Sequence, residues 1–591
     1  MKSQPCIGVY ICHCGVNIAA TVDVAAVTAF AGTLPGVVVA RDYTYMCSDP
    51  GQVLIKQDIA EFRLNRVVVA SCSPWMHEVT FRNVVQDAGL NPYLMEMANI
   101  REQCSWVHEA GEATTEKAKW LVASAVAKAA LLEPLGEREV EVTPAALVIG
   151  GGVAGMSAAL DIADAGYKVI LVEREPHLGG RAAQLHRTFP TLELVEDLVA
   201  PIIAAVTDHP NIEVLTGAQV VGVEGYIGNF TVTIGKLGNW ETGKLVTSSP
   251  ACQSTNLPIY QLPIYQSADV GAIIVATGFD SFDATGKPEL GYGRYPGVIT
   301  APEFEQLAAK GGSLIIDGRE PRAVAFIQCV GSRDKQVGNP YCSRICCMIT
   351  ARQAHLVRER LPEANITVFY TDVRAFGKGF EEYYDRVREE GVIYRRGEPS
   401  EVIQSADGER LVVKVEDTLL GEEVEVEADL VVLATGLVPR PDAADLARLL
   451  KLARSPDGFL AEAHPKLRPV DTINEGVFIA GACQGPKDIP DSITQAKAAA
   501  ASAIVPLSQG RVKVESATCV IDDELCVGCD LCAAICPYGA LSLDETEGVM
   551  TANSVLCKGC GACAVICPSN AITLLHFTPK QVLAQVEALM W

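Results

Sequence analysis

Eight cysteines toward the carboxyl end carry the plainest chemistry in the sequence. Cys526, Cys529, Cys532 and Cys536, with Pro537 next, are followed by Cys557, Cys560, Cys563 and Cys567, with Pro568 next. Thiolates at these short intervals suit the corners of a [4Fe–4S] cubane, whose iron prefers soft sulfur ligands. A thiolate quartet also binds zinc tetrahedrally, but two complete copies, each ending in Cys-Pro, favour iron–sulfur chemistry. Farther back, Cys329, Cys342, Cys346 and Cys347 fall within 19 residues. That density suits a third cluster better than the alternative use of cysteine as a small buried hydrophobe.

The two carboxyl-terminal runs resemble the two-cluster bacterial ferredoxin pattern written twice. In that pattern three close thiolates wrap one cubane, and the fourth, just before proline, reaches the other. The resemblance therefore implies one cluster on Cys526, Cys529, Cys532 and Cys567. It implies a second on Cys557, Cys560, Cys563 and Cys536.

A second set of residues suits a dinucleotide. Residues 145–149 read as a buried strand running into Gly150-Gly151-Gly152-Val153-Ala154-Gly155, then an apolar helix from Met156 to Ala165. Glycines permit close backbone approach to a pyrophosphate, and a helix amino end favours its charge. The next strand, 168–172, ends in Glu173, placed to bond a ribose hydroxyl. Residues 174–181, with Gly179, Gly180 and Arg181, resemble the double-glycine continuation of flavoproteins with two dinucleotide domains. So do the paired turns Ala276-Thr277-Gly278 and Ala434-Thr435-Gly436, and a late strand ending Gly481-Ala482. This resemblance implies FAD, held by Gly150, Gly152, Gly155, Glu173, Gly179, Gly180, Arg181, Ala276, Thr277, Gly278, Gly436, Gly481 and Ala482. The acidic residue usual in the late motif is absent, and Ala482-Cys483 stands there. The second nucleotide domain begins with the strand 322–327, but Gln328-Cys329 replaces its glycine turn. No CxxC pair is present in that domain to serve as a redox dithiol.

Six further cysteines, at 6, 12, 14, 47, 72 and 104, lie in the first fifth of the chain. Several follow short apolar strands, 7–11 before Cys12-His13-Cys14 and 67–70 before Ser71-Cys72. Loops at strand ends can converge, so Cys14, Cys47, Cys72 and Cys104 could hold another cluster. Cys12 remains an alternative to Cys14, and His13 reads as a polar loop residue.

Taken together these motifs resemble the A subunit of heterodisulfide reductase, the FAD and iron–sulfur component of electron-bifurcating complexes. The resemblance rests on residues 11–15, 40–51, 69–74 and 98–104, on the Cys329–Cys347 group, and on residues 481–490. It covers essentially the whole chain. It implies an oxidoreductase that splits or merges electron pairs between a partner hydrogenase, formate dehydrogenase or NADH-oxidising module and a disulfide-reducing B/C pair, with ferredoxin as a further acceptor. It also implies a homodimer within a larger hetero-complex. The sequence departs from that family at 236–266, where a single cysteine, Cys252, replaces an inserted ferredoxin module, and at Arg352, where lysine is usual near the flavin. The charge of Arg352 could stabilise an anionic reduced flavin. The competing readings are a self-contained NAD(P)H-dependent oxidoreductase and a relay protein that does not bifurcate.

The elements needed to position these residues make an α/β protein with a thioredoxin-reductase-like flavoprotein core. The expected domains are an amino-terminal α/β domain over 1–136, the core over 143–508 with its second subdomain at 321–430, and a ferredoxin-like domain over 515–591. The 591 residues suffice for several buried cores. A net charge of −24 argues against nucleic acid or an anionic membrane as partner. No signal-peptide pattern or long apolar run is present, so the expected location is cytoplasmic, where 21 cysteines suit metal better than disulfides.

Overall fold

Short runs of Val, Ile, Leu and Ala become parallel strands buried on both faces, the environment that favours unbroken apolar sequence. The computed structural model describes residues 4–236, 264–309, 314–315, 318–406 and 408–590. The expected excursion at 236–266, with Cys252, lies outside the described residues except at its two ends. These ends belong to the antiparallel strands Asn229–Lys236 and Ile264–Val270.

The chain divides into two compact units where the sequence suggests three domains. Residues 1–139 and 513–591 form one, and residues 140–512 the other. In the first, four parallel strands run in the order Val37–Tyr43, Ile7–Cys12, Arg66–Ser71, Met95–Asn99. Ile7, Val9, Ile11 and Val68 pack under the helix Glu112–Ala129. Its carboxyl-terminal segment adds two short antiparallel ladders and two short helices, Leu531–Ile535 and Ala562–Ile566.

Side chains far apart in sequence join these two segments. The Tyr93 hydroxyl accepts from the Ser516 amide at 3.1 Å, and Gln581 Nε2 donates to the Leu131 carbonyl at 3.1 Å. Arg82 pairs with Glu515 at 3.1 Å, and the Lys128 ammonium lies 3.8 Å from the centre of the Phe577 ring.

In the second unit, five parallel strands run Val477–Ile479, Ala272–Val275, Ala145–Ile149, Lys168–Val172, Ile212–Leu215. The helices Val153–Asp164 and Ile489–Gln509 pack together through small residues, Ala158 and Ala159 among them, with Ala496, Ala499 and Ala503 opposite. A second parallel sheet runs Val298–Thr300, Leu430–Thr435, Ala323–Val330, Asn365–Tyr370, Ile393–Arg396. It therefore recruits a strand from upstream of the expected 321–430 subdomain. The helix Cys346–Arg360 packs on it through Met348, Ala351 and Ala354.

Within the first unit His576 is buried against Tyr93, ring centres 5.5 Å apart. Desolvation, with Lys128 and Arg82 nearby, pushes its pKa down from 6.5 to about 4. The folded chain holds this imidazole neutral, so as pH falls from 6.5 toward 4 the unfolded chain binds the extra proton and stability is lost. The loss should reach about 3 kcal/mol across that window. Denaturant unfolding of the first unit should show this slope in the native chain and a shallower one in His576→Phe; equal slopes would contradict the assignment.

Candidate functional site

The dinucleotide motif opens onto a cleft of about 980 Å³, at the upper end of small-molecule sites. Its wall includes Gly150, Gly152, Glu173, Gly179, Gly180, Arg181, Ala276, Thr277, Gly278 and Ala482. The helix Val153–Asp164 starts here with Gly152 as its cap, and no side chain caps its first amides. Such an amino end is a ready anion site. Glu173 stands at the end of its strand, its carboxylate accepting from the amides of Gly151 at 2.5 Å and Glu175 at 2.8 Å. Each oxygen keeps a further acceptor lone pair. The turn admits no side chain: a Cβ on Gly150, at φ 111°, would lie 2.4 Å from the Ala276 carbonyl oxygen, and one on Gly155 would lie 1.8 Å from the Gly150 oxygen. These features fit a flavin dinucleotide.

Three of the expected cofactor residues do not line the cleft. Gly155 sits beneath the turn, and Gly481 packs against Ala154. Gly436 packs against Ser332 and Ser343, in the cysteine-bearing loops. Conversely, sequence reasoning does not single out Lys487 or the amino end of the helix Ile489–Gln509, both of which line it. Burial lowers the Lys487 pKa, and Asp488 caps that helix by accepting from the Asp491 amide at 2.8 Å. A Lys-Asp-Ile-Pro start after a glycine turn is the signal that could have found them.

Arg352 also borders the cleft, but its charge is committed. Its guanidinium pairs with Glu305 and donates to the Arg187 carbonyl, and both ionic side chains are almost fully buried. Glu305 accepts in addition from the His186 amide at 3.1 Å and from Gln353 at 2.6 Å. Arg352 is thus a strut that ties residues 186–187 to the helix Cys346–Arg360, and the charge expected beside a flavin is paired with Glu305.

Cys329, Cys342, Cys346 and Cys347 come together at one end of the second sheet. Burial raises the pKa values of the Cys329, Cys346 and Cys347 thiols, that of Cys329 to about 12, and charge on the neighbouring thiols adds to the rise. Four thiolates crowded and desolvated in this way need a cationic centre between them, which an iron–sulfur cluster supplies. Ile345 and Ile349, which flank Cys346-Cys347, line the dinucleotide cleft.

In the first unit the loops after parallel strands bring Cys12, Cys14, Cys47 and Cys72 around Arg101. The guanidinium donates to Cys14 Sγ at 3.2 Å and pairs with Glu102 at 2.7 Å. Cys12 Sγ accepts from the amides of Cys14 and Met46 at 3.3 and 3.4 Å. Cys47 and Cys72 each sense Cys14 and Arg101, and burial raises Cys72 to about 11. Cys104 is not brought in. Its thiol is fully buried and donates to the Thr114 carbonyl at 3.2 Å, in the core beneath the helix Glu112–Ala129.

The carboxyl-terminal cysteines surround two small separate cavities. Cys526, Cys529, Cys532 and Cys567 line one; Cys557, Cys560, Cys563 and Cys536 line the other. Among the described residues no three His, Cys, Asp or Glu side chains gather tightly as around a single ion.

The fold and the cleft define a flavoprotein oxidoreductase joined to iron–sulfur centres. Residues 144–503 match the pyridine nucleotide-disulphide oxidoreductase family, and residues 525–571 match the 4Fe-4S dicluster domain. The chain is 50% identical over 606 residues to the second iron-sulfur A subunit of the CoB–CoM heterodisulfide reductase of Methanopyrus kandleri, covering 93% of this chain and 92% of that one. It is 48% identical over 644 residues to the A subunit of the H(2):CoB-CoM heterodisulfide,ferredoxin reductase of Methanothermobacter marburgensis, covering 99% and 97%. Among solved structures, thioredoxin reductase of T. acidophilum is 16% identical with a TM-score of 0.41, over 62% of this chain and 99% of that one. The chain belongs to the family of heterodisulfide reductase A subunits, and its cofactors are FAD and [4Fe–4S] clusters. Among the described residues, no helix is long and apolar enough to cross a membrane.

Gly155→Ala should lower bound flavin per chain at least tenfold while leaving the iron of the carboxyl-terminal domain unchanged. Flavin and iron analysis of the purified variant checks this; full retention of flavin would contradict the role given to the turn.

Proposed function

We propose that the chain is the electron-distributing component of a cytoplasmic heterodisulfide reductase-like complex, carrying out flavin-based bifurcation or its reverse. The observation that carries this reading is the Cys329–Cys347 group. It stands where an NAD(P)H-binding glycine turn would be, and the flanking Ile345 and Ile349 form part of the cleft wall. Bound FAD exchanges electrons in pairs or singly, and cubane clusters carry one at a time.

The residues divide the work. Gly150, Gly152 and the uncapped helix amino end would receive the pyrophosphate, and Glu173 would accept from the adenosine ribose. Lys487 and the amino end of the helix Ile489–Gln509 present positive potential to the flavin side of the cleft. Cys329, Cys342, Cys346 and Cys347 hold one cluster, and the two carboxyl-terminal quartets hold two more. In the first unit, Cys12, Cys14, Cys47 and Cys72 surround a fourth site, with Arg101 balancing thiolate charge.

In this reading a hydrogenase, formate dehydrogenase or NADH-oxidising module supplies electrons. A B/C pair reduces the disulfide, ferredoxin takes the low-potential electrons, and two copies of the chain pair inside the larger complex. The hydrogen and ferredoxin named for the Methanothermobacter relative support this assignment of donor and acceptor. The loss of the glycine turn at Gln328-Cys329 speaks against a self-contained NAD(P)H oxidoreductase.

The test uses the purified chain under anaerobic conditions. NADH and NADPH should fail to bleach its flavin on the timescale of turnover, and the chain with chemically reduced flavin should not reduce a disulfide until the B/C pair is added. Rapid bleaching by NADPH, or disulfide reduction by the chain alone, would overturn the proposal.

A further inference from the structure

The carboxyl-terminal domain is an internal repeat, and a shift of 31 residues carries Cys526 onto Cys557, Cys536 onto Cys567 and their neighbours likewise. The backbone obeys this symmetry. Cys526 Sγ accepts from the Met550 amide at 3.3 Å, and Cys557 Sγ accepts from the Cys519 amide at 3.4 Å. Met550 and Cys519 are themselves related by the same shift.

The side chains around the two cavities break the symmetry. Cys519 faces Cys557 with the two sulfurs 3.6 Å apart, and it is buried in the same cavity. Its counterpart at the other cavity is the thioether of Met550, which has no proton to give. Lys558 lines the cavity of Cys557, and its counterpart at the other cavity is Val527. Tyr538 corresponds to Ser569. One centre thus has a thiol donor and a cation; the other has Met550 and Val527 at those places and keeps one hydroxyl, that of Ser569, 3.6 Å from the Cys567 sulfur.

We propose that the two carboxyl-terminal centres are unequal in potential, the one on Cys536, Cys557, Cys560 and Cys563 being the higher, with Cys519 as the positioning donor that sets the difference. The proposal rests on these quartets holding [4Fe–4S] clusters. A ligating Cys557 carries no proton, so the Cys519 S–H is the donor between the two sulfurs. Reduction adds one negative charge to a cluster, and a hydrogen bond to a ligand sulfur or a nearby cation stabilises that charge. Electrons entering the domain therefore collect at the Cys557 centre.

The experiment is an anaerobic redox titration of the full chain followed by electron paramagnetic resonance, with iron content measured on every sample. Cys519→Ala should lower the potential of one carboxyl-terminal centre, shifting its reduction equilibrium about tenfold, ~59 mV for one electron. The other should stay in place, and iron per chain should not change. Cys519→Ser, which keeps a donor, should restore most of the shift. Lys558→Val should lower the same centre, and Met550→Cys should raise the other. Movement of both centres or of neither in Cys519→Ala would overturn the proposal. So would loss of iron in that variant, which would make Cys519 a ligand. Iron near zero in the unaltered domain would instead overturn the cluster reading beneath it.

Discussion

Parallel strands cannot be joined by a tight hairpin, so each connection crosses over and every strand enters the sheet from the same side. All the loops at one edge of such a sheet therefore leave the carboxyl ends of strands, and residues distant in sequence gather there. This constraint places nearly every reactive group in the first 512 residues. Cys12, Cys47, Cys72 and Arg101 follow the four strands of the first sheet. Gly150, Glu173, Ala276 and Gly481 follow four strands of the five-stranded sheet that contains Ala145–Ile149. Cys329 and Gly436 occupy the corresponding ends of the sheet that contains Ala323–Val330 and Leu430–Thr435. The carboxyl-terminal domain, built from short antiparallel ladders, uses compact local spacing instead.

Sheet edges deliver groups to a neighbourhood, and buried polar contacts then fix their geometry. The pair formed by Arg352 and Glu305 is almost fully buried, and Glu305 also accepts from the His186 amide and Gln353. Removing one partner of such a pair leaves an uncompensated charge, a loss of about 3–5 kcal/mol. The cleft wall at Arg187 is thereby held to the helix that begins at Cys346-Cys347. In the first unit, Arg101 plays a related part among thiols. Its pairing with Glu102 and its bond to Cys14 place a fixed positive charge where thiolates must gather.

Much of this arrangement is legible in the sequence because it depends on local patterns. Apolar runs mark the strands 145–149 and 168–172 with the observed bounds. The resemblance to the two-cluster ferredoxin pattern, in which the cysteine before each proline crosses to the other centre, groups the carboxyl-terminal cysteines as the two cavities do. What depends on distant contacts is not legible. Nothing local says that Tyr93 meets Ser516, so the terminal segments read as separate domains. Cys104 follows a strand as Cys72 does, but a π-helical turn at Arg101–Ser105 carries its thiol into the core. That the charge of Arg352 is paired is not legible either, because Glu305 lies 47 residues away. Cys519 reads as an isolated cysteine because its partner Cys557 belongs to the other repeat.

Strand-end loops and the terminal repeat together assemble four thiolate groups and one flavin site in each chain. Iron and FAD content of anaerobically purified protein tests this most directly. Four cubanes in all should give about 16 irons per FAD. A value near 8 would contradict it, leaving clusters only in the carboxyl-terminal domain and the thiols around Arg101 and at 329–347 as structural residues.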